Sequence, residues 1–297
     1  MESNSKDFAP QLTADGSFTF FSPDFGEAFH SQYGARQEAQ MKFVEPTGLK
    51  LKAKNQSLRL LDVCYGLGYN SAAALAAIWE VNPNCHIQLV GLELDPTVPQ
   101  AAIAHNLLNG WMQPIVEILS QLANRYQVKT DNLQARLLLG DARQTIQSLL
   151  KAGFQADAIF LDPFSPPVCP QLWTVEFLGL VARCLHQEGR LATYSCAAAV
   201  RKALLAAGLK IGSTPPVGRR SPGTVASWEA SNLPALSWQE QEHLLTRAAI
   251  PYRDPSLSDP GELIRQRRLD EQKISDLEST SHWRKRIQKE RGVRSEQ

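Results

Sequence analysis

Long apolar runs are missing from this chain of 297 residues. Nothing in it approaches the roughly 18 consecutive apolar residues that a membrane helix requires, so no membrane role is expected. The first residues, Met1 to Gln11, are polar and lack the apolar centre of a signal peptide. Cysteine is scarce: Cys64, Cys85, Cys169, Cys184 and Cys196 make an odd number with no CxxC clip. That argues against a disulfide framework and against a zinc knuckle. The six histidines show no HxH or HxxxH spacing, so no metal is expected. An excess of one charge is also missing, since 31 Lys and Arg face 30 Asp and Glu for a formal net charge of +1. A globally basic nucleic-acid coat is thereby excluded, although a local basic patch is not. A soluble, cytoplasmic protein with reduced thiols is the expectation.

What is present is a globular balance, with 43% hydrophobic and 21% charged residues, enough apolar surface for a real core. Residues 1–16 read as a polar, frayed start, Phe18 to Phe21 as β-prone, and Ala35 to Val44 as a helix. Lys50 to Ser57 reads as a basic linker. From Leu58 the pattern alternates. Strands are expected at Leu58–Val63, Ile87–Leu92, Ala135–Leu139, Ala156–Leu161 and Gly189–Tyr194, with Thr224–Ser227 as an edge strand. Helices are expected at 71–80, 101–108, 115–126, 146–150, 176–185 and 197–207. Short apolar runs alternating with helices predict a doubly wound, mostly parallel α/β sheet with helices on both faces. The implied organisation is an N-terminal extension (1–57), a core domain (58–250) and a tail (251–297) made of a Pro/Ser/Asp-rich linker and a charged helical segment. From Glu262 on, ten Arg and Lys outnumber seven Asp and Glu.

Ligands of open parallel sheets bind beyond the carboxyl ends of the strands, so the residues just after each strand matter most. The first strand runs into Asp62-Val63-Cys64-Tyr65-Gly66-Leu67-Gly68-Tyr69-Asn70. Its glycines permit a sharp turn and a close ligand, or simply a tight strand-to-helix connection. Ser71 stands where a dinucleotide fingerprint has its third glycine. Glu93 ends the second strand, where a carboxylate can accept from ribose hydroxyls or merely be exposed. Asp141, beside Ala142, can accept from an adenine amino group or cap a helix. The fourth strand ends in Asp162-Pro163-Phe164-Ser165, which puts a carboxylate and a ring at the ligand edge. Turn glycines, ribose acid, adenine acid and reaction-edge acid follow the order typical of Rossmann-like class I methyltransferases. Such enzymes use S-adenosyl-L-methionine, and the protein need only align the acceptor and handle its proton.

The sequence also resembles the MnmC-like methyltransferases, the family that includes the methyltransferase half of a bifunctional tRNA-modifying enzyme. The resemblance covers about residues 18–227. It rests on "DVCYGLGYN" (Asp62 to Asn70), "LDPFSPPVCPQLW" (Leu161 to Trp173) and "GRLATYSCAAAVRKALLAAGL" (Gly189 to Leu209). "GRR" (Gly218 to Arg220) and "HSQYGARQE" (His30 to Glu38) add to it. Pro163 departs from the small residue common in the bifunctional enzymes, and the tail from Glu262 matches nothing in the family. No second glycine fingerprint for a flavin domain occurs, so FAD is not implied.

The resemblance implies methylation of the 5-aminomethyl group of wobble uridine in tRNA, on a uridine that is 2-thiolated or not. Upstream tRNA-modifying enzymes would supply the amine. Asp162 is the expected catalytic residue. Asp62, Gly66, Gly68, Asn70, Glu93, Asp141 and Ala142, with Asp162, are expected at the cofactor. Phe164 and Trp173 could pack on the base, Trp173 alternatively in the core, and Tyr69 on the cofactor or only at its helix start. Arg201, Lys202, Arg219 and Arg220 are candidate tRNA contacts. The tail adds Arg265, Arg267, Arg268, Arg284, Lys285, Arg286, Lys289, Arg291 and Arg294, unless these form a solvated helix. Three other readings compete: an aminopropyltransferase of the spermidine synthase type, a nucleobase amino-methyltransferase, and a non-catalytic RNA-binding module on the same scaffold.

Overall fold

The computed structural model describes residues 8–217 and 221–294. Its centre is an eight-stranded sheet. In chain order the strands are Ser57–Val63 (β1), His86–Glu93 (β2), Gln127–Lys129 (β3), Leu133–Leu139 (β4), Ala156–Leu161 (β5), Leu185–Thr193 (β6), Lys210–Thr214 (β7) and Gly223–Ser227 (β8). They lie in the order β7-β8-β6-β5-β1-β2-β4-β3. The five central strands are parallel, while β3, on one side, and β8 pair antiparallel with their neighbours. The chain leaves β1 in one direction and returns to its other side at β5. The topological switch, where such sheets bind ligands, therefore lies between β1 and β5.

Alternation along β1 shows why the sheet is covered twice. Leu58 and Leu60 enter one apolar cluster and Leu61 and Val63 the other, as a period of two requires. The first cluster holds helices Tyr69–Val81 (α1), Thr97–Ala104 (α2) and Gln113–Arg125 (α3), the second Ala142–Lys151 (α4), Val175–Arg183 (α5) and Ala198–Ala206 (α6). Helix α2 starts earlier than its apolar pattern suggests, because Pro99 is tolerated in a first helical turn.

Three features differ from the sequence reading. Thr224–Ser227 is interior: β8 sits between β6 and β7, and Lys210–Thr214 forms the edge. The stretch expected to fray is folded from residue 8. Phe8 is buried, and Gln11–Leu12 pairs with Phe18–Thr19 around a turn held by Thr13, Asp15 and Ser17. Phe21–Ser22 and Glu27–Ala28 then make a second hairpin. The segment before Gly261 is packed down, with Tyr252 and Asp254 buried.

Before β1 the chain is helical over Ala35–Glu38, Ala39–Val44, Glu45–Thr47 and Leu49–Lys52, so the stretch expected as a linker from Lys50 is partly helix; after the sheet come helices Trp238–His243 (α7), Gly261–Ile274 (α8) and Thr280–Arg294 (α9). Several contacts bring this C-terminal region to the carboxyl edge of the sheet. Asp254 pairs with Arg143 in the first turn of α4, and Arg265 donates to the Pro167 carbonyl. Among the described residues, no helix is long and apolar enough to cross a membrane.

Candidate active site

The sheet contributes one wall of the site. Cys64, Gly66 and Gly68 have φ of 67°, 56° and 86°, so the chain leaves β1 through left-handed conformations that favour glycine. The missing side chain at Gly68 serves Tyr65: a Cβ there would lie 2.8 Å from the Tyr65 hydroxyl oxygen. The Gly66 amide donates to Glu93 Oε2 at 2.8 Å, and the Asp95 amide donates to Oε1 at 2.8 Å. Glu93 is thus fixed by two backbone donors and keeps lone pairs for further hydroxyls. Burial pushes its carboxyl up to about 7, against the pull of those amides.

Asp62 and Asn70 bracket the glycine turn. Ser71 Oγ donates to Asp62 Oδ2 at 2.7 Å, and burial raises the Asp62 carboxyl to about 8. Asn70 Nδ2 donates to Asp162 Oδ2 at 2.8 Å, which ties the helix start to the reaction-edge acid. Asp62 Oδ1 and Asn70 Oδ1 are buried acceptors without a partner.

The other wall comes from the N-terminal extension. A cavity of about 690 Å³ lies between it and the sheet edge. Gly66, Glu93, Asp162 and Phe164 line one side, and Phe21 to Tyr33 line the other. Glu27 accepts from the Ser165 amide at 3.0 Å and from its hydroxyl, clamping the hairpin to the Asp162 loop. Phe25 stacks on Phe164 at 4.4 Å between centroids, and Phe29 meets it edge-on at 5.1 Å. Only the β-prone phenylalanines and the "HSQYGARQE" run hinted at this wall.

The expected site residues separate accordingly. Gly66, Glu93, Asp162 and Phe164 meet at the cavity; Asp62, Gly68, Asn70, Asp141 and Ala142 do not line it. Asp141 caps α4 through the Arg143 amide and holds the Arg143 guanidinium at 2.7 Å. Tyr69 is buried, its hydroxyl donating to the Leu107 carbonyl.

Two expectations are corrected. Trp173 is fully buried, and its indole donates to the Phe164 carbonyl at 2.8 Å, so it braces the loop instead of meeting a base. Arg201 is 2% exposed, donates to Thr224 Oγ1 and the Gly223 carbonyl, and pairs with Glu240 at 2.7 Å. It is a buried structural cation and has no surface to offer RNA.

Arg219 and Arg220 lie outside the described residues. Much of the tail charge is spent internally. Arg267 pairs with Asp259, Arg286 pairs with Glu242 and Glu278, and Arg268 lies over the Tyr252 ring and donates to backbone carbonyls. Arg284 and Lys285 are exposed on α9. Among the described residues, no group of three or more His, Cys, Asp or Glu is placed to hold a metal.

Comparison with known proteins agrees with this geometry. Residues 100–229 match the family model of an S-adenosyl-L-methionine-dependent methyltransferase. The structure superimposes on that of MnmC2 from Aquifex aeolicus with a TM-score of 0.78 and 36% identity, covering 92% of this chain and 88% of that one. The chain belongs to the MnmC2-like methyltransferases. An uncharacterised protein of Methanocaldococcus jannaschii, MJ0670, is 31% identical over 83% of this chain and 67% of its own length. The bifunctional MnmC protein of Paracidovorax citrulli, named for tRNA 5-methylaminomethyl-2-thiouridine biosynthesis, is 31% identical over 66% of this chain. This chain spans about a third, 32%, of that relative's length.

The MnmC2-like chain is therefore an S-adenosyl-L-methionine-dependent methyltransferase, and its site suits that cofactor. Glu93 offers anchored lone pairs for a ribose diol. Gly66 leaves room for close approach, since a Cβ there would meet nothing nearer than the Phe29 ring at 3.6 Å.

Proposed function

We propose that this protein methylates the exocyclic amine of 5-aminomethyluridine at the wobble position of tRNA, giving 5-methylaminomethyluridine, with or without a 2-thio group. Membership of the MnmC2-like family supports the reaction class. The observation that carries the reading is Asp162, held by Asn70 where the two cavity walls meet.

The cofactor, when bound, supplies an activated methyl group. The protein's own residues do the rest. Glu93, anchored by the Gly66 and Asp95 amides, would hold the ribose hydroxyls of the cofactor. An alkylamine of the acceptor's kind has an ordinary pKa of about 10 and arrives protonated at neutral pH. Asp162 holds that ammonium and takes one proton from it, which frees the nitrogen lone pair for the attack that follows. Asn70 keeps one Asp162 oxygen occupied, which points the other to the amine. Aromatic rings around Phe164 exclude water from the reacting atoms. In this reading Asp62, Gly68, Asn70, Asp141 and Ala142 support the cofactor from behind the lining. The primary amine comes from other tRNA-modifying enzymes, FAD and metal play no part, and the work is cytoplasmic.

The test mixes purified protein, methyl-labelled S-adenosyl-L-methionine and tRNA carrying wobble 5-aminomethyluridine, followed by digestion and nucleoside mass spectrometry. One added methyl on that nucleoside is expected. Intact cofactor binding with no methyl gained would overturn the assignment.

A further inference from the structure

The fully buried carboxylate of the C-terminal segment, Asp254, lies one side chain away from an acid expected at the cofactor. The Asp254 amide donates to Glu176 Oε2 at 2.7 Å, and its Oδ1 accepts from the Ser258 and Asp259 amides at 3.3 and 3.2 Å. Arg143 Nη1 donates to Asp254 Oδ2 at 2.8 Å and to the Asp259 carbonyl at 2.9 Å. The other edge of the Arg143 fork turns to Asp141. Nη2 donates to Asp141 Oδ2 at 2.7 Å, and Nε is shared between the two carboxylate oxygens at 3.1 Å. The Arg143 amide donates to Oδ1 at 2.9 Å. A carboxylate offers about four lone-pair positions, so these three donors leave room for one more on Oδ2.

Exposure orders the three groups: the Asp141 side chain is 38% exposed, Arg143 10% and Asp254 0%. The series thus runs outward from the C-terminal segment to Asp141. Asp141 also stands beside the ribose acid, since Leu139 is the register partner of Glu93 and the Gly140 amide donates to the Glu93 carbonyl at 2.8 Å. The thiol of Cys169, which lines the cavity, lies within electrostatic reach of both Asp141 and Arg143. Capping α4 needs only the bond from the Arg143 amide to Asp141. The guanidinium and Asp254 go beyond a cap. A planar fork bonded along two edges has a single orientation, and it passes that constraint to the carboxylate it holds.

We propose that the C-terminal segment completes the cofactor site. Asp254 holds Arg143, and Arg143 holds Asp141 so that its remaining Oδ2 lone pair meets the 6-amino group of the cofactor's adenine. The inference rests on the placement of Asp141 at the cofactor given above. It makes Arg143 and Asp254 positioning residues and gives the Pro/Ser/Asp-rich stretch around Asp254 a part in ligand discrimination.

The experiment is calorimetry on the full-length protein with S-adenosylhomocysteine and its 6-oxo counterpart, S-inosylhomocysteine, which turns an acceptor toward Asp141 in place of a donor. Wild type should prefer the adenosyl form roughly thirtyfold, the scale of a hydrogen bond to a charged group. Asp254→Asn keeps the side-chain shape but removes the charge that holds Arg143, and it should cut the preference to roughly threefold. General loosening of the fold would weaken both ligands alike and leave their ratio unchanged, so an unchanged ratio in Asp254→Asn overturns the clamp. Wild type that binds both ligands equally overturns the placement of Asp141 itself. If Asp254→Asn does not fold, Arg143→Lys decides, because it keeps the cation and loses the fork; an undiminished preference there also contradicts the clamp.

Discussion

The two walls of the cavity are built in opposite ways. On the sheet wall the key polar groups are held before any ligand arrives: Glu93 by two backbone amides, Asp162 by Asn70, and the Phe164 carbonyl by Trp173. On the N-terminal wall, two-residue strands carry half-exposed rings and acids, pinned to the sheet wall through Glu27 and Ser165. The first wall is preorganised for a constant ligand and for chemistry. The second is a light structure, to which the proposed function assigns recognition of the acceptor. The difference teaches where to look for each property: turnover and cofactor affinity should follow sheet-wall variants, and acceptor choice should follow the extension.

The sharpest way to break that division is Asp162→Ala. Methyl transfer should fall by roughly a hundred- to ten-thousandfold, the usual worth of a positioned proton acceptor, while cofactor titration still shows binding. Arg201→Met tests the claim that this cation belongs to neither wall. Losing the guanidinium strands the partly buried Glu240, so denaturant unfolding should show about 3 kcal/mol of lost stability. The KM for tRNA should hold in the folded fraction.

Glu93→Gln should weaken cofactor binding roughly ten- to a hundredfold by calorimetry, the scale of a charged hydrogen bond, and leave acceptor discrimination alone. The raised carboxyl adds a pH dependence. Its ionised form accepts from the ribose, so affinity should improve as pH rises through about 7 and then level off. Stability of the cofactor-free protein should run the other way. The folded state keeps this proton longer than the unfolded chain, so stability falls as pH rises from 4.5 through about 7. Buried Asp62 acts in the same sense between 3.8 and about 8. The smallest effect is expected of Trp173→Phe. It removes the indole donor from the Phe164 carbonyl, costing about 1–2 kcal/mol in thermal unfolding and lowering kcat more than it changes cofactor affinity.

The sheet wall was legible in the sequence because hydrophobic periodicity locates strand ends, and strand ends are where such sheets place their ligand groups. Gly66, Glu93 and Asp162 follow from that rule alone. The N-terminal wall was not. Its strands are too short to show a period, and its decisive contact, Glu27 to Ser165, joins residues 138 apart. Strand β7 escaped for a related reason: Lys-Ile-Gly-Ser-Thr carries no apolar alternation and is held by its pairing with β8. Arg201 and Trp173 looked like binding residues because a charge or a ring in the sequence does not reveal its partner. Glu240 and the Phe164 carbonyl, brought close only by the fold, decide both.

The most direct measurement is a crystal structure of the complex with S-adenosylhomocysteine and an RNA hairpin bearing wobble 5-aminomethyluridine. The ribose hydroxyls should lie on Glu93, the base against the Phe21–Ala28 hairpin, the amine at Asp162 and the phosphates outside the cavity. A base bound elsewhere, or an amine turned away from Asp162 with the cofactor in place, would contradict the division of labour between the two walls.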